Sequence, residues 1–376
     1  MSGTLSAALA HLRDFRIART ASAEVLAQAG ALQVDLARVL AFRSRATHLD
    51  QRLPAGSHVE AARGGLQDTV PRAALAALHA RVERVEPDSW EVPDLCQVWF
   101  RWADYVVPRQ DFAVFTLGAL PRAADRAQAL RVVASAVCEL LQGRPLSSRE
   151  VRAGLPAVLS RAGHDHAPEA GILLRAACVS GRYLIRWDAR TVTVIPTGPP
   201  DMDAEDARRE LATRFLGWHG PASAAQFARW AGMAREDAAE TWTGLARELI
   251  PVSLEGRARE LLARDEEALT RAEPAFGVRL LPMGDPYLAL DRNLFDAPGA
   301  FPPPTEDDRG QPVTSRLVNS LGGRVLVDGR IVGSWGRHQH HLSIHLWDPG
   351  ERERVRAEAE TFAGPIGRPM TLSWLS

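Results

Sequence analysis

Two passages about 75 residues apart obey one local grammar, and that repetition constrains the fold more than any other feature of the chain. At Gly143 to Ser147 the residues are Gly-Arg-Pro-Leu-Ser, and at His219 to Ser223 they are His-Gly-Pro-Ala-Ser. Each passage ends on a serine that opens a helix. Ser147 and Glu150 stand at capping-box spacing, where hydroxyl and carboxylate reciprocally satisfy backbone N–H groups that the first turn leaves unpaired. In the first copy a further helix over Ala170 to Val179 stops at Gly181. Strands Tyr183 to Trp187 and Thr191 to Ile195 then follow, around a tight turn at Asp188 and Ala189. In the second copy the helix ends at Gly232, a longer helix covers Glu236 to Leu249, and Ile250 to Leu254 is strand-like. Short capped helix, longer helix and β segment is the connectivity of a helix-turn-helix with a wing.

The flanks read differently. The first thirty residues are Ala-rich with helical patterning, which Leu32 to Phe42 continues at three- and four-residue spacing. After a turn at Pro54-Ala55-Gly56, the polar cluster Gln67-Asp68-Thr69-Val70-Pro71 precedes a helical stretch from Arg72 to Val85. Asp68 or Thr69 suits the N-cap and Pro71 the first turn. Residues 295–312 have the Pro, Gly and acidic content of a surface loop. Beyond them, Arg324 to Val332 is a hairpin with Asp328-Gly329 at its turn, followed by a strand from His341 to Trp347 and a helix from Glu351 to Phe362.

Composition narrows the chemistry. A length of 376 residues suits two to four domains. No apolar run reaches the roughly 18 residues needed to span a bilayer, so no membrane association is expected and a cytoplasmic location is. Cys96, Cys138 and Cys178 lack metal-ligand spacing and read as core residues of a reducing compartment. The net charge of −1 leaves room for a local basic face. All 45 Lys+Arg residues are arginine. Without lysine, a Lys-dependent lyase, a P-loop and a pyridoxal site are not expected, and a Schiff base could use only the N-terminal amine.

Several ordered segments together resemble the winged-helix DNA glycosylases, the family of the azinomycin-resistance and interstrand-crosslink glycosylases. They are Gly65-Leu66-Gln67 with Pro71-Arg72-Ala73-Ala74; Gln97-Val98-Trp99 with Arg101 and Val106-Val107-Pro108; Arg214-Phe215-Leu216 with His219-Gly220-Pro221-Ala222-Ser223, Phe227 and Trp230-Ala231-Gly232; Leu281-Pro282 with Asp285-Pro286-Tyr287-Leu288; and Val327-Asp328-Gly329-Arg330 with Gly333-Ser334-Trp335. The resemblance implies an α+β, mainly α protein: three tandem winged-helix domains and a C-terminal β-rich module around a concave DNA-binding face. The expected divisions are 1–135, 136–205, 206–275 and 276–376.

It also implies excision of cationic N7-alkylated purines with no cofactor and no metal; double-stranded DNA is the expected partner and a monomer the expected state. Members of this family hold the attacking water with Gln, any residue, then Gln or Asp. Gln67 matches the first position, but the third is Thr69, and the carboxylate of Asp68 comes one place early. With a positively charged leaving group, the protein has chiefly to stabilise an oxocarbenium-like sugar and place a water. In an extended segment residues 67 and 69 point to one side and Asp68 to the other. Asp68 takes over only if the backbone turns.

Each candidate has a plainer reading beside the functional one. Gln67-Asp68-Thr69 can be simply a helix cap, and the two roles can coexist. Arg101 can grip a phosphate or pair with Asp104. Arg72, Arg337, His338 and His340 are the other candidate DNA contacts, the last three on a hairpin suited to probing a groove. His338, His340, His341 and His345 bring zinc to mind, but no carboxylate or cysteine stands at a compatible spacing, so no metal is expected. Trp230, Trp242, Trp335 and Tyr287 read as core anchors, and Glu351 to Arg354 as a solvated helix face. Two functions follow: a monofunctional DNA glycosylase, or a winged-helix DNA binder, regulator or lesion-recognising, that lacks the second catalytic side chain.

Overall fold

The computed structural model describes residues 30–70, 72–163, 170–288, 305–313 and 321–375. The expected N-terminal helices before residue 30, Pro71 and most of the loop at 295–312 lie outside the described residues.

Three units in the described chain repeat one plan. In the first, α2 (His58–Ala61) and β2 (Leu66–Gln67) precede α3 (Ala73–His79) and the hairpin β3 (Leu95–Phe100) and β4 (Ala103–Pro108), with sheet order β2-β4-β3. Leu66, Leu75, Leu78, Val82, Trp90 and Val106 form its core. After α4 (Phe112–Leu117), the second unit consists of α5 (Ala124–Leu141), β5 (Leu146–Ser147), α6 (Ser148–Arg161), α7 (Ala170–Ala176), β6 (Tyr183–Trp187) and β7 (Val192–Pro196), ordered β5-β7-β6. The third runs α8 (Ala204–His219), α9 (Ala224–Ala231), α10 (Arg235–Gly244), β8 (Leu249–Leu254) and β9 (Arg257–Leu262). Here Ala222 bridges to Glu260 on β9, so each unit pairs a short segment near its first helix with the last strand of its hairpin.

Local chemistry sets the helix starts and stops. Both capping boxes form: Ser147 with Glu150, and Ser223 with Gln226, each cap worth about 1 kcal/mol. Gly232 ends α9 at φ +69°, the left-handed conformation that glycine adopts without a Cβ penalty.

Elsewhere the structure corrects the expected pattern. Leu32–Val34 is a strand, β1, which pairs parallel with β8 of the third unit, and the helix α1 begins only at Leu36 and runs to Ala46. Asp35 caps it by accepting from Arg38 N, which prevents the helix from starting sooner. Val39 and Phe42 then pack with Val252, Leu261 and Leu269 beside α11 (Glu266–Thr270), so this N-terminal segment belongs to the third unit's core. A division at residue 135 would cut α5, whose Val133, Ala134 and Val137 pack with Leu155 and Tyr183 of the second unit. The helix expected to run to Val85 ends at His79.

The C-terminal module is a five-stranded sheet in sequence order: β10 (Val278–Leu281), β11 (Gly323–Val327), β12 (Arg330–His338), β13 (His341–Leu346) and β14 (Thr371–Leu375). Strands β13 and β14 are parallel. That pairing needs a crossover, which α12 (Arg352–Glu360) and α13 (Ala363–Ile366) supply, Val355 and Phe362 packing against Trp335 and Ile344.

The units are fastened to one another by apolar surface. Phe100 and Tyr105 of the first hairpin, Phe115 of α4, and Phe215, Phe227, Trp230 and Trp242 of the third unit share one cluster, with centroids of the Phe100–Trp230 and Phe215–Trp230 pairs 5.3 and 5.2 Å apart. Edge and tilted contacts of this kind add about 0.5–1.5 kcal/mol per pair beyond burial. Tyr287 is 2% exposed, and Cys96 and Cys178 are buried. No helix of the described residues is long and apolar enough to cross a membrane.

Candidate functional site

Strand β2 delivers Gln67 opposite Tyr105 on β4. Alternation along the extended chain then turns Asp68 inward and returns Thr69 to the side of Gln67, whose Nε2 donates to Thr69 Oγ1 at 2.7 Å. Tyr105 donates its hydroxyl to Gln67 Oε1 at 3.4 Å, and Arg101 donates to that hydroxyl oxygen at 3.1 Å. Gln67 is half-buried and Thr69 exposed, so the pair presents an amide oxygen and a hydroxyl at an open face. Thr69 Oγ1 accepts from Gln67, which leaves its own proton to be donated outward.

Asp68 has the opposite surroundings. It is 0% exposed, its backbone N–H donates to Asp104 O at 2.8 Å, and both carboxylate oxygens are engaged. Oδ1 accepts from Ala74 N at 3.0 Å; Oδ2 accepts from Arg72 at 2.7 Å and from Gln97 Nε2 at 3.0 Å. Burial pushes its carboxyl up to about 6, against the pull of the Ala74 N–H, Arg72 and Gln97. The backbone does turn after Thr69, with Arg72 at φ +65° ahead of α3, but the turn keeps Asp68 inside. Of the two roles open to Asp68, the geometry therefore gives it the helix-entrance cap and takes the water-holding one away.

Arg72 is likewise drawn inward. Its guanidinium pairs with Asp68, donates to Trp187 O at 3.0 Å and lies 3.7 Å over the Trp90 ring. Gln97 Oε1 accepts from Trp187 N at 2.6 Å. Asp68, Arg72 and Gln97 thus form a polar joint between the first unit and the hairpin of the second.

Arg101 does not pair with Asp104. It lies over the rings of Tyr105, at 6.0 Å, and Trp230, at 5.7 Å, at a hairpin tip where it and Trp102 both have positive φ. Trp102 is 69% exposed there. Asp104 Oδ1 has no hydrogen-bond partner among the described residues. Burial, then the charge of Asp68, raises the Asp104 carboxyl to about 6.

The C-terminal module closes the site from the far side. The β12–β13 hairpin brings Arg337 within electrostatic reach of Asp68, while burial lowers the Arg337 pKa. Arg72, Arg337 and Arg368 line a cavity of about 290 Å³ floored by Leu75, Pro87 and Pro365. His338 is exposed at the same tip, His340 is half-buried, and His341 is bound to Ser373 Oγ at 2.8 Å. No group of three His, Cys, Asp or Glu side chains among the described residues converges to hold a metal. Gly284, before Asp285-Pro286-Tyr287, touches Gln67: a Cβ there would sit 2.2 Å from Oε1.

Gln67, Thr69, Arg101 and Arg337 are therefore gathered around one face, with Asp68 and Arg72 beneath it. Reading the sequence missed Tyr105, Gly284 and Arg368. Tyr105 follows once the β2–β4 register is known; nothing local marks the other two.

Residues 61–364 match the family model described as DNA glycosylase AlkZ-like. Among solved structures, the chain is similar to the Streptomyces sahachiroi DNA glycosylase AlkZ, with a TM-score of 0.70 and 20% identity over 91% of this chain and 100% of that one. No curated protein matches by sequence. The match across most of its length shows that the chain belongs to the AlkZ-like DNA glycosylase family.

Proposed function

We propose that the protein is a monofunctional DNA glycosylase, built on three tandem winged-helix units and a β-rich module, that hydrolyses the N-glycosidic bond of N7-alkylated or bulky purines in duplex DNA. The observation that carries the reading is the Gln67–Thr69 pair, 2.7 Å apart at the edge of an open face. Gln67 Oε1 accepts one proton of the attacking water and Thr69 Oγ1 flanks it. As the C1′–N9 bond breaks, its electron pair goes to the purine and cancels the positive charge of the N7-alkylated ring. The water oxygen bonds to C1′ and its proton leaves to solvent. The oxocarbenium-like sugar is stabilised by the Gln67 amide dipole and by water placement, which suffices for a cationic leaving group. With no lysine in the chain, no lysine amine is present to carry the reaction past the abasic site.

One observation favours the second reading, a lesion binder without catalysis: Thr69 carries no charge, and the nearby Asp68 is buried. Incubation with a duplex carrying one N7-alkylguanine, scored for abasic sites after alkali, decides. Base release that Gln67→Ala abolishes and Thr69→Ala weakens establishes the glycosylase. Tight binding with no release by the unaltered protein establishes the binder.

A further inference from the structure

We propose that the Gly284 turn of the C-terminal module is the wall that orients Gln67, and that the Arg81–Asp285 pair is a positioning device that holds this wall in place. The inference rests on the glycosylase reading and assigns that site residues from more than 200 positions away in the chain.

Three observations meet here. First, Pro282 to Asp285 is a tight turn closed by Asp285 N donating to Pro282 O at 3.1 Å, with Gly284 at φ +83° in its third position, where a residue without Cβ is favoured. Second, the missing Cβ is the space Gln67 occupies: it would stand 2.2, 2.6 and 3.2 Å from Oε1, Cδ and Nε2. The amide thus lies between this turn, Tyr105 and Thr69. Third, the residue after the glycine is locked. Asp285 accepts two bonds from Arg81, at 2.8 and 2.7 Å, and one from Tyr287 N at 3.0 Å. Arg81 follows α3, the helix whose entrance Asp68 caps through Ala74 N. One short helix therefore fixes both sides of Gln67: the strand end through Asp68 and the opposing turn through Arg81. An ångström of misplacement at a reacting group costs about a hundredfold in rate, so a wall held this way bears on turnover without touching DNA.

The test combines single-turnover base release, DNA affinity and the side-chain amide resonances of Gln67 in ¹⁵N-glutamine-labelled protein, assigned by their loss in Gln67→Ala. Gly284→Ala is expected to slow release by about a hundredfold, to leave DNA affinity within about threefold and to shift the Gln67 amide. In a Gln67→Ala background the same change is expected to add less than about twofold, because it acts through the missing side chain. Gly329→Ala imposes similar backbone strain at φ +74° with nothing nearer its Cβ than 3.8 Å and is expected to leave the Gln67 amide in place. An unshifted amide in Gly284→Ala overturns the proposal, as does equal slowing in both backgrounds. Should the unaltered protein release no base, the glycosylase reading fails, and the amide shift alone still decides whether Gly284 orients Gln67.

Discussion

Arg81 and Asp285 face each other across the seam between the first unit and the C-terminal module, in a two-pronged ion pair with neither side chain exposed to solvent. Desolvating two charges costs several kcal/mol each, and their attraction offsets this only where geometry and further hydrogen bonds are good. Arg81 also donates to Ala77 O, yet its Nε has no partner among the described residues. The pair is therefore costly to break singly and cheap to replace jointly. Asp285→Ala is expected to lower stability by about 3–5 kcal/mol, since it leaves the guanidinium buried and unpaired. Arg81→Met with Asp285→Asn, which keeps an acceptor for Tyr287 N, is expected to lose less than Asp285→Ala alone. Urea denaturation of the three proteins measures both.

Thr69 stands where the family pattern has a longer acceptor, and its hydroxyl meets Gln67 Nε2 at the open face. A carboxylate at that position would place negative charge beside the developing oxocarbenium ion, where preorganised electrostatics contributes most. Thr69→Asp is expected to raise single-turnover base release by about tenfold, while Asp68→Asn, buried beneath, is expected to act on stability more than on the chemical step. A rate unchanged by Thr69→Asp would mean that water is held by Gln67 without help from position 69.

Asp104 provides a pH signature. Burial and the neighbouring Asp68 raise its carboxyl to about 6, whereas the unfolded chain releases that proton near 4. The folded state binds more protons between those values, so the group's contribution makes stability fall as pH rises from about 4 to 6. Above that window the ionised group is a standing cost. Asp104→Asn is expected to gain about 1 kcal/mol at pH 7.5, a figure reduced for the partial exposure of the side chain, and the gain is expected to vanish near pH 4. His79 and His219 run the other way: burial lowers both, His79 to about 3, so their contribution is lost as pH falls below about 6.5. Both proteins share them, so they cancel in the difference between the two denaturation curves, which reports Asp104 together with its effect on the neighbouring Asp68.

What could be read in the sequence was what residues within a few positions of one another settle. Ser147 and Glu150, Ser223 and Gln226, and Asp328-Gly329 need only their neighbours, and the elements they start or turn are where the spacing predicts them. Alternation put Gln67 and Thr69 on one side and Asp68 on the other only for an extended segment, and left open whether a turn would bring Asp68 round. The remainder depends on pairings across the chain. Leu32–Val34 becomes a strand because β8 offers it an edge, and no periodicity in so short a segment shows that. Arg101 chooses Tyr105 over the nearer-looking Asp104 because the two positive-φ residues at the hairpin tip carry it to the Tyr105 and Trp230 side. Gly284 reaches Gln67 only once the C-terminal sheet has docked.

Arg368 lies with Arg72 and Arg337 around the cavity beside the candidate site, and it is exposed where Arg72 is tied to Asp68 and Trp187. A phosphate approaching this cavity would meet Arg368 first, while Arg72 already donates to Asp68 and to Trp187 O. Each phosphate contact on duplex DNA steepens the dependence of log K on log salt by about 0.9. Arg368→Ala is therefore expected to reduce that slope by about 0.9 and to weaken binding equally for damaged and undamaged duplexes, as a backbone contact does. Arg271→Ala, an exposed arginine paired with Glu267 in the third unit, is expected to leave the slope unchanged. Fluorescence anisotropy across a salt series measures both; equal slopes for Arg368→Ala and the unaltered protein would place the phosphate path away from this cavity.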